Sequence, residues 1–588
     1  MKVDGLKLLL LLLLMVSLKS PVTSSAESET NDVTANNQIE ELKTKAEKGD
    51  AIAQWCLGNA YHEGEGVMKD DVAATKWLRK AAEQNCAPAQ RTLGVCYHKG
   101  QGVAKDYEEA ARWYRKAAEQ NDAAGQYNLG VCYYEGQGAA KDDVEAEKWF
   151  RKAAEQNFAA AQYDLGVCYH EGQGVAKNDV EAAKWYRKAA EQNFAAAQSN
   201  LGICYHEGQG VAKDCVEAAK WWRKAAEQND AAAQYSLGVA YHVGQGMAKD
   251  DVEAGKWFRK AAEQNFAAAQ SNLGVCYLKG LGMAKDAAEA VKWLRKAADQ
   301  NDVDAQCKLG VCYHEGTGVA KDAAEAVQWF RLAAGQNDAA GQFNLGVCYQ
   351  DGAGVTKDEV EAIRLFRKAA GQNYADAQYN LGYCYLKGLG AAKDEAEAVK
   401  WFRKAADQNS PGAQYGLGLC YHEGTGVAKD AAEAVKWLRK AADQNDVDAQ
   451  CKLGECYAKG DGVAKSGVEE IKWYRKAAEQ HDAVAQYNLG ICYYVGKGVA
   501  KDDVEAVKWF RKAAEQNDAE AQHNLGACYA AGAGVAKNYL EAHKWFYLAA
   551  AQGNKEAKKN LRSLDRNMAP EQIEQGQQLV REFKPRKE

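Results

Sequence analysis

The sequence predicts an all-α solenoid built from fourteen helix-turn-helix units. Three observations carry this. A 36-residue period starts at Ala53 and runs through 556 with no insertion or deletion. Glycines recur at fixed places within it. Apolar residues follow a 3.6-residue rhythm twice in each period. A fixed period between about 20 and 50 residues marks a solenoid, because one such unit cannot bury its apolar face alone.

With Ala53 as position 1, the frame restarts at Ala89, Gly125, Ala161 and onward to Ala521. Positions 6, 12 and 14 are Gly in all copies, position 9 is Tyr and position 17 is Lys. Position 25 is Trp in 13 copies, with Leu365 the exception. A leading helix is expected over positions 36 to 11, with its buried stripe at positions 1, 5, 8 and 9 (Ala161, Leu165, Cys168 and Tyr169). Gly166 lacks a side chain in mid-helix, at about 1 kcal/mol relative to Ala. Its recurrence implies that another helix backbone passes close by. The Gly-x-Gly at positions 12 and 14 ends the helix, since glycine accepts left-handed dihedrals. A trailing helix then starts at position 18, where Asp142 and Glu145 form a capping pair. It should bury positions 22, 25, 26, 29 and 30, such as Ala146, Trp149, Phe150, Ala153 and Ala154. Asn157, at position 33, suits the left-handed residue that closes the helix.

Residues 1–26 read as a signal peptide. Lys2 and Lys7 precede an apolar run, Leu8 to Leu18, too short to cross a bilayer, and Ser24-x-Ala26 is a small-residue cleavage site. Residues 27–38 form a flexible polar leader, 39–52 an N-terminal cap helix, 53–556 the repeats and 557–588 the C-terminal cap helices. The mature chain is expected to be secreted or periplasmic, or in an endomembrane lumen in a eukaryote, with no stable membrane insertion. Its 75 basic and 81 acidic residues give −6, which argues against a nucleic-acid binder. Five prolines in 588 residues exclude a Pro-rich disordered chain.

The repeated residues, A-x-x-x-L-G-x-x-Y-x-x-G-x-G-V, then K-D, then A-x-x-W-[YF]-R-K-A-A, resemble the Sel-one-like repeat family, a relative of tetratricopeptide repeats. Ala at position 16, Asn at position 33 and Cys at position 8 depart from the usual family pattern. The resemblance implies a right-handed superhelical scaffold that binds a protein or peptide; it does not imply a reaction, and no cofactor is expected. It leaves the oligomeric state open. Some exported relatives are described as hydrolases of β-lactam or cell-wall type, but S-x-x-K is missing here, as are G-x-S-x-G and H-E-x-x-H. A purely structural spacer is the other alternative.

Twelve of the 17 cysteines fall at position 8, where Ala60 and Ala240 fill the other two places. Neighbouring helices pack about 8–10 Å apart and a disulfide needs Cα atoms within about 7 Å, so these read as buried free thiols. Relatives that bridge their two helices carry two Cys per copy, and this chain has one. Cys56 with Cys86 is the one pair that could form a disulfide. The histidines at position 10, from His62 to His422, are interrupted at Tyr134, Leu278, Gln350 and Ala458, which argues against a metal ladder. The Gly-x-Gly loops follow a helix and lack G-K-[ST], so no phosphate site is expected. No catalytic or metal-binding residue is assigned.

By analogy with tetratricopeptide arrays, the leading helices line the concave face. Positions 3, 4, 7 and 10 lie on it. The candidate binding residues there are Tyr127, Asn128, Tyr163, Asn200, Tyr235, Asn272, Phe343, Asn344, Tyr379, Asn380, Tyr487 and Asn488. Asn offers a donor and an acceptor to a peptide backbone, and aromatic rings are favoured anchors. Equally, position 3 could pack between copies and Asn be plainly solvated.

Overall fold

The computed structural model describes residues 38–586, and the expected signal peptide and most of the polar leader lie outside that range. Every regular element among the described residues is a helix. A helix over 38–47 is followed by pairs of 13-residue helices from Ala51–Glu63 to Tyr539–Ala551, then by Lys555–Asp565 and Pro570–Glu582. The chain divides between Asp286 and Ala287 into two compact units, each a row of these pairs.

In the first unit, the copy with helices Ala159–Glu171 and Asp179–Glu191 shows why the chain turns where it does. Gly172 closes the leading helix in the left-handed conformation (φ 77°), its N–H donating to the Cys168 carbonyl at 2.9 Å. Asn178 caps the trailing helix, its Oδ1 accepting from the N–H groups of Val180 and Glu181. The trailing helix closes on Asn193 at φ 66°. The same left-handed asparagine recurs at position 33 from Asn85 to Asn517, with His481 in one copy. The expected capping pair is half realised. Asp142 caps, but Glu145 turns outward to Lys148, 2.6 Å away.

The two glycines of each loop have different tasks. At Gly174 (φ +68°) a Cβ would stand 1.9 Å from the Asp143 carbonyl oxygen of the preceding copy, so the loop sits directly on the start of the preceding trailing helix. The mid-helix glycine corrects an expectation. A Cβ on Gly166 would meet the Tyr186 ring at 2.6 Å, with the Ala182 carbonyl further off at 3.3 Å. A ring, more than a backbone, fills the missing space.

Ala161, Leu165 and Cys168 are buried, as are Ala182, Tyr186, Ala189 and Ala190. Each such leucine stabilises by about 1.5–3 kcal/mol. Trp185 shares a buried cluster with Phe150 and Ala153 of the preceding copy and with Cys168 of its own. Its outer face is covered by Lys188, whose ammonium lies 3.9 Å from the ring centroid. Tyr169, expected in the core, is only half-buried. Its hydroxyl accepts from Arg151 of the preceding trailing helix at 2.7 Å. Arg187–Tyr205 and Arg223–Tyr241 repeat this bond at 2.5 Å in the following joints.

The core also contains a polar ladder that the apolar pattern does not reveal. Gln162 is 1% exposed. Its Nε2 donates to the Ala154 carbonyl at 3.1 Å and to Asn157 Oδ1 at 3.0 Å, both in the preceding copy. Its Oε1 accepts from Gln192. Equivalent glutamines are buried from Gln54 to Gln522.

In the second unit the same elements recur, with one specialised joint. Glu470 is buried and meets the Lys497 ammonium of the next copy at 2.8 Å, with the Cys492 thiol 3.6 Å away. At the end of that unit His543, also buried, faces Asp565 at 3.3 Å and packs under Gly576 of the last helix. Position 27, arginine in the preceding copies, is Tyr547 in the fourteenth.

Candidate functional site

The face on which the sequence places its candidates is built by the leading helices. Position 3 is not a free row of rings. Tyr127 sits between Phe150 (5.8 Å between centroids) and Phe158 (5.3 Å). Tyr163 lies likewise between Tyr186 and Phe194, Tyr235 between Phe258 and Phe266, and Phe343 between Phe366 and Tyr374. Tyr379 and Tyr487 lie against Phe402 and Phe510. One partner comes from the trailing helix of the same copy and the other, where present, from the residue before the next leading helix. All six rings stay half-buried, so one edge is left to solvent.

The asparagines at position 4 are half-buried beside them. Asn200 lies beside the hydroxyls of Tyr163 and Tyr186, and Asn524 beside that of Tyr487. Asn344 Nδ2 donates to the Cys307 thiol at 3.4 Å. Trp55 with Thr92 shows the same relation between position 3 of one copy and position 4 of the next. Asn128, Asn272, Asn380 and Asn488 hold equivalent places in the row. Several of these amides are therefore tied into the joints between copies.

The row is not uniform, and the fourth copy places a carboxylate in it. Asp164 stands where its neighbours have Asn128 and Asn200. Burial pushes its carboxyl up to about 6, against a hydrogen bond from the Tyr127 hydroxyl that lowers it. Burial, with the Asp164 charge, raises the Tyr127 hydroxyl in turn.

Between the second and third copies the leading helices leave a groove of about 300 Å³. Tyr127, Asn128, Val131 and Glu135 form one wall, and Val95, His98 and Lys99 the other. The sequence reading put position 7 on this face without naming its residues, and it missed position 11. Position 7 is apolar from the second copy to the eleventh, with Val95, Val131 and Val167 half-buried and Ile203 37% exposed. Position 11, one turn on, carries exposed Glu135, Glu171 and Glu207 in three consecutive copies. Both were visible as columns in the repeat frame. A hollow of about 400 Å³ on the trailing-helix side, lined by Val216, Trp221 and Met247, is already filled in part by Lys224, 4.1 Å from the Trp221 ring.

The histidines of position 10 end their helices against local partners. His62, His170 and His242 meet Asp71, Asp179 and Asp251 at 2.7, 2.9 and 2.6 Å. His206 meets Gln245 of the next copy at 3.1 Å. The position 8 thiols are buried, and burial pushes Cys96 and Cys132 up to about 11 and Cys168 up to about 12. Such thiols are poor nucleophiles at neutral pH. Cys56 and Cys86 are half-buried free thiols, close enough that the charge of Cys86 adds to the burial that raises Cys56 to about 11.

Comparison with known proteins agrees with this architecture. The Sel1 repeat model matches fourteen consecutive segments, from 51–86 to 519–554. Among solved structures, the chain is similar to c5321, a protective antigen of uropathogenic Escherichia coli strains with an SLR fold, at 36% identity. That match covers 80% of this chain and 94% of the other, with a TM-score of 0.52. It is also similar to a Sel1 repeat protein from Oxalobacter formigenes, at 30% identity over 56% of this chain and 98% of that one, with a TM-score of 0.42. No curated protein matches. Fourteen contiguous matches in register with the helix pairs leave one assignment, and the chain belongs to the Sel1 repeat family.

Proposed function

We propose that the chain is an exported, non-catalytic scaffold that binds a protein or peptide on the concave face lined by its leading helices. Sel1 repeat proteins serve generally as protein-interaction scaffolds. The observation that carries the finer reading is the groove between the second and third copies, where half-buried Val95, Val131 and Tyr127 meet polar Asn128 and Glu135. An apolar floor with a polar rim is the make-up of an interaction surface. Export rests on residues 1–26, whose short apolar run and cleavage site have the pattern of a secretory signal.

Affinity capture from the exported fraction tests binding. The full chain is compared with a variant carrying Asn128→Ala and Val131→Ser, which is expected to lose the partner. Retention of every captured protein removes the concave-face reading, and capture of nothing by the full chain leaves the spacer. Export is tested by placing arginine at Leu10 and Leu12, which should hold the chain in the cytoplasm. Turnover of a chromogenic β-lactam above background would favour the hydrolase.

A further inference from the structure

We infer that the leading-helix face of the third to fifth copies is specific for an extended, positively charged peptide segment that alternates basic and apolar side chains. This rests on the interaction-scaffold reading above and names its partner class.

The leading helices supply the apolar half of the argument. Val95, Val131, Val167 and Ile203 follow one another in successive copies and remain partly open to solvent. Glu135, Glu171 and Glu207 stand one helical turn beyond the last three of them, on the same side of their helices. Neither Glu135, Glu171 nor Glu207 has a lysine or arginine within ion-pair distance among the described residues, whereas Glu145, Glu181, Glu217 and Glu253 on the trailing helices each hold a lysine three residues on. The strip has clear ends. Position 11 is Lys99 in the copy before it and Val243 in the copy after it. The histidines that border it are engaged elsewhere: His98 stacks edge-on with Tyr107, His170 meets Asp179, and His206 meets Gln245.

Asp164 is an independent pointer to the same charge. It occupies the place that Asn128 holds in the groove wall, one copy on. An asparagine there would face the Tyr127 hydroxyl without a charge to desolvate. The carboxylate is thus held at a cost to folding beside a face that collects three more. A cation arriving at this face offsets that cost and adds attraction at a half-buried surface. Three copies at about 10 Å each span roughly 30 Å, the length of about nine extended residues.

The test is fluorescence anisotropy with the full chain and three labelled nine-residue peptides, alternating leucine with lysine, glutamate or serine. The lysine peptide should bind best. Glu135→Gln, Glu171→Gln and Glu207→Gln together should weaken it about tenfold, or about 1.4 kcal/mol. Glu145→Gln, Glu181→Gln and Glu217→Gln remove the same charge from the trailing helices and should change it less than about twofold. Asp164→Asn should also weaken binding while leaving a fold at least as stable, so a folding defect cannot account for the loss. Equal losses in the two triple variants would mean diffuse attraction to an acidic protein and would overturn the inference. Equal binding of all three peptides, weakened in each case by Val131→Ser and Ile203→Ser, would retain the face and discard the charge preference. Failure of the lysine peptide to bind at about 1 mM also discards it, and the capture experiment then decides the broader reading alone.

Discussion

Gln192 donates its Nε2 hydrogen to the Oε1 of Gln162 at 2.7 Å, joining the end of one trailing helix to a fully buried amide. Gln162 passes the connection on to Ala154 and Asn157 of the preceding copy. Gln162→Leu would remove three hydrogen bonds, leaving the Ala154 carbonyl to the Asn157 N–H and Gln192 Nε2 to Asn157 Oδ1. Each lost hydrogen bond costs about 0.5–1.5 kcal/mol. A loss of at least about 2 kcal/mol in urea unfolding is expected, and a neutral result would show the ladder to be incidental.

Gly174 should be less replaceable than Gly166. Alanine at Gly174 meets a carbonyl oxygen 1.9 Å away with φ at +68°. Alanine at Gly166 meets a ring edge at 2.6 Å, in a helix that accepts it. Gly174→Ala is expected to cost more than about 2 kcal/mol. Gly166→Ala, whose clash a turn of Tyr186 can relieve in part, should cost about 1–2 kcal/mol. Thermal unfolding of the two variants gives the order.

Asp164→Asn should stabilise the chain in a pH-dependent way. The folded carboxyl titrates at about 6 against a reference of 3.8, so the native state binds the proton more tightly than the unfolded chain. Wild-type stability therefore falls as pH rises between those values and stays lower above them. The variant is expected to lead by about 1–3 kcal/mol at pH 7, after allowance for solvent screening, and the lead should close near pH 4. Urea midpoints at the two pH values check it.

The Arg–Tyr bonds at the joints should contribute little. Arg187 and Tyr205 meet at an exposed site. A double-mutant cycle with Arg187→Ala and Tyr205→Phe is expected to give a coupling of about 0.2–1 kcal/mol. A larger value would make this row, and not the glutamines, the main polar fastening.

Cys56 and Cys86 provide a redox test of the pairing expected from the sequence. Mild oxidation of the folded chain should remove one thiol pair, with the linked peptides found by mass mapping. The position 8 thiols should stay free, since each is buried and held in the protonated form by that burial. Oxidation of that column ahead of Cys56 would contradict this.

Much of the fold was legible because glycine, helix interiors without proline and apolar rhythm report backbone geometry directly. Gly172, Asn193 and Asp142 all act where the frame placed them. The polar half of the core was not legible in that way. Gln162 looks like any surface glutamine by type, and only its recurrence at position 2 in all copies could have marked it. Tyr169 was misplaced for the converse reason, since an aromatic on a helix is read as core until its hydroxyl is seen on an arginine. At the candidate site, the frame placed Tyr127 and Asn128 in the groove wall. It could not show that Tyr163 is enclosed by Tyr186 and Phe194, because those residues are 23 and 31 positions further along the chain.

The bonds that fasten one copy to the next are nearly interchangeable, so excising a whole 36-residue block should let the flanking copies rejoin with the same partners. Glu470 and Lys497 are the exception. Removing the copy that holds Lys497 would bring Ala533 into its place and abandon a buried carboxylate, an error worth about 3–5 kcal/mol. Genetic drift in length is thus open along much of the array but closed at this coupling, and the two copies that share it should be inherited together.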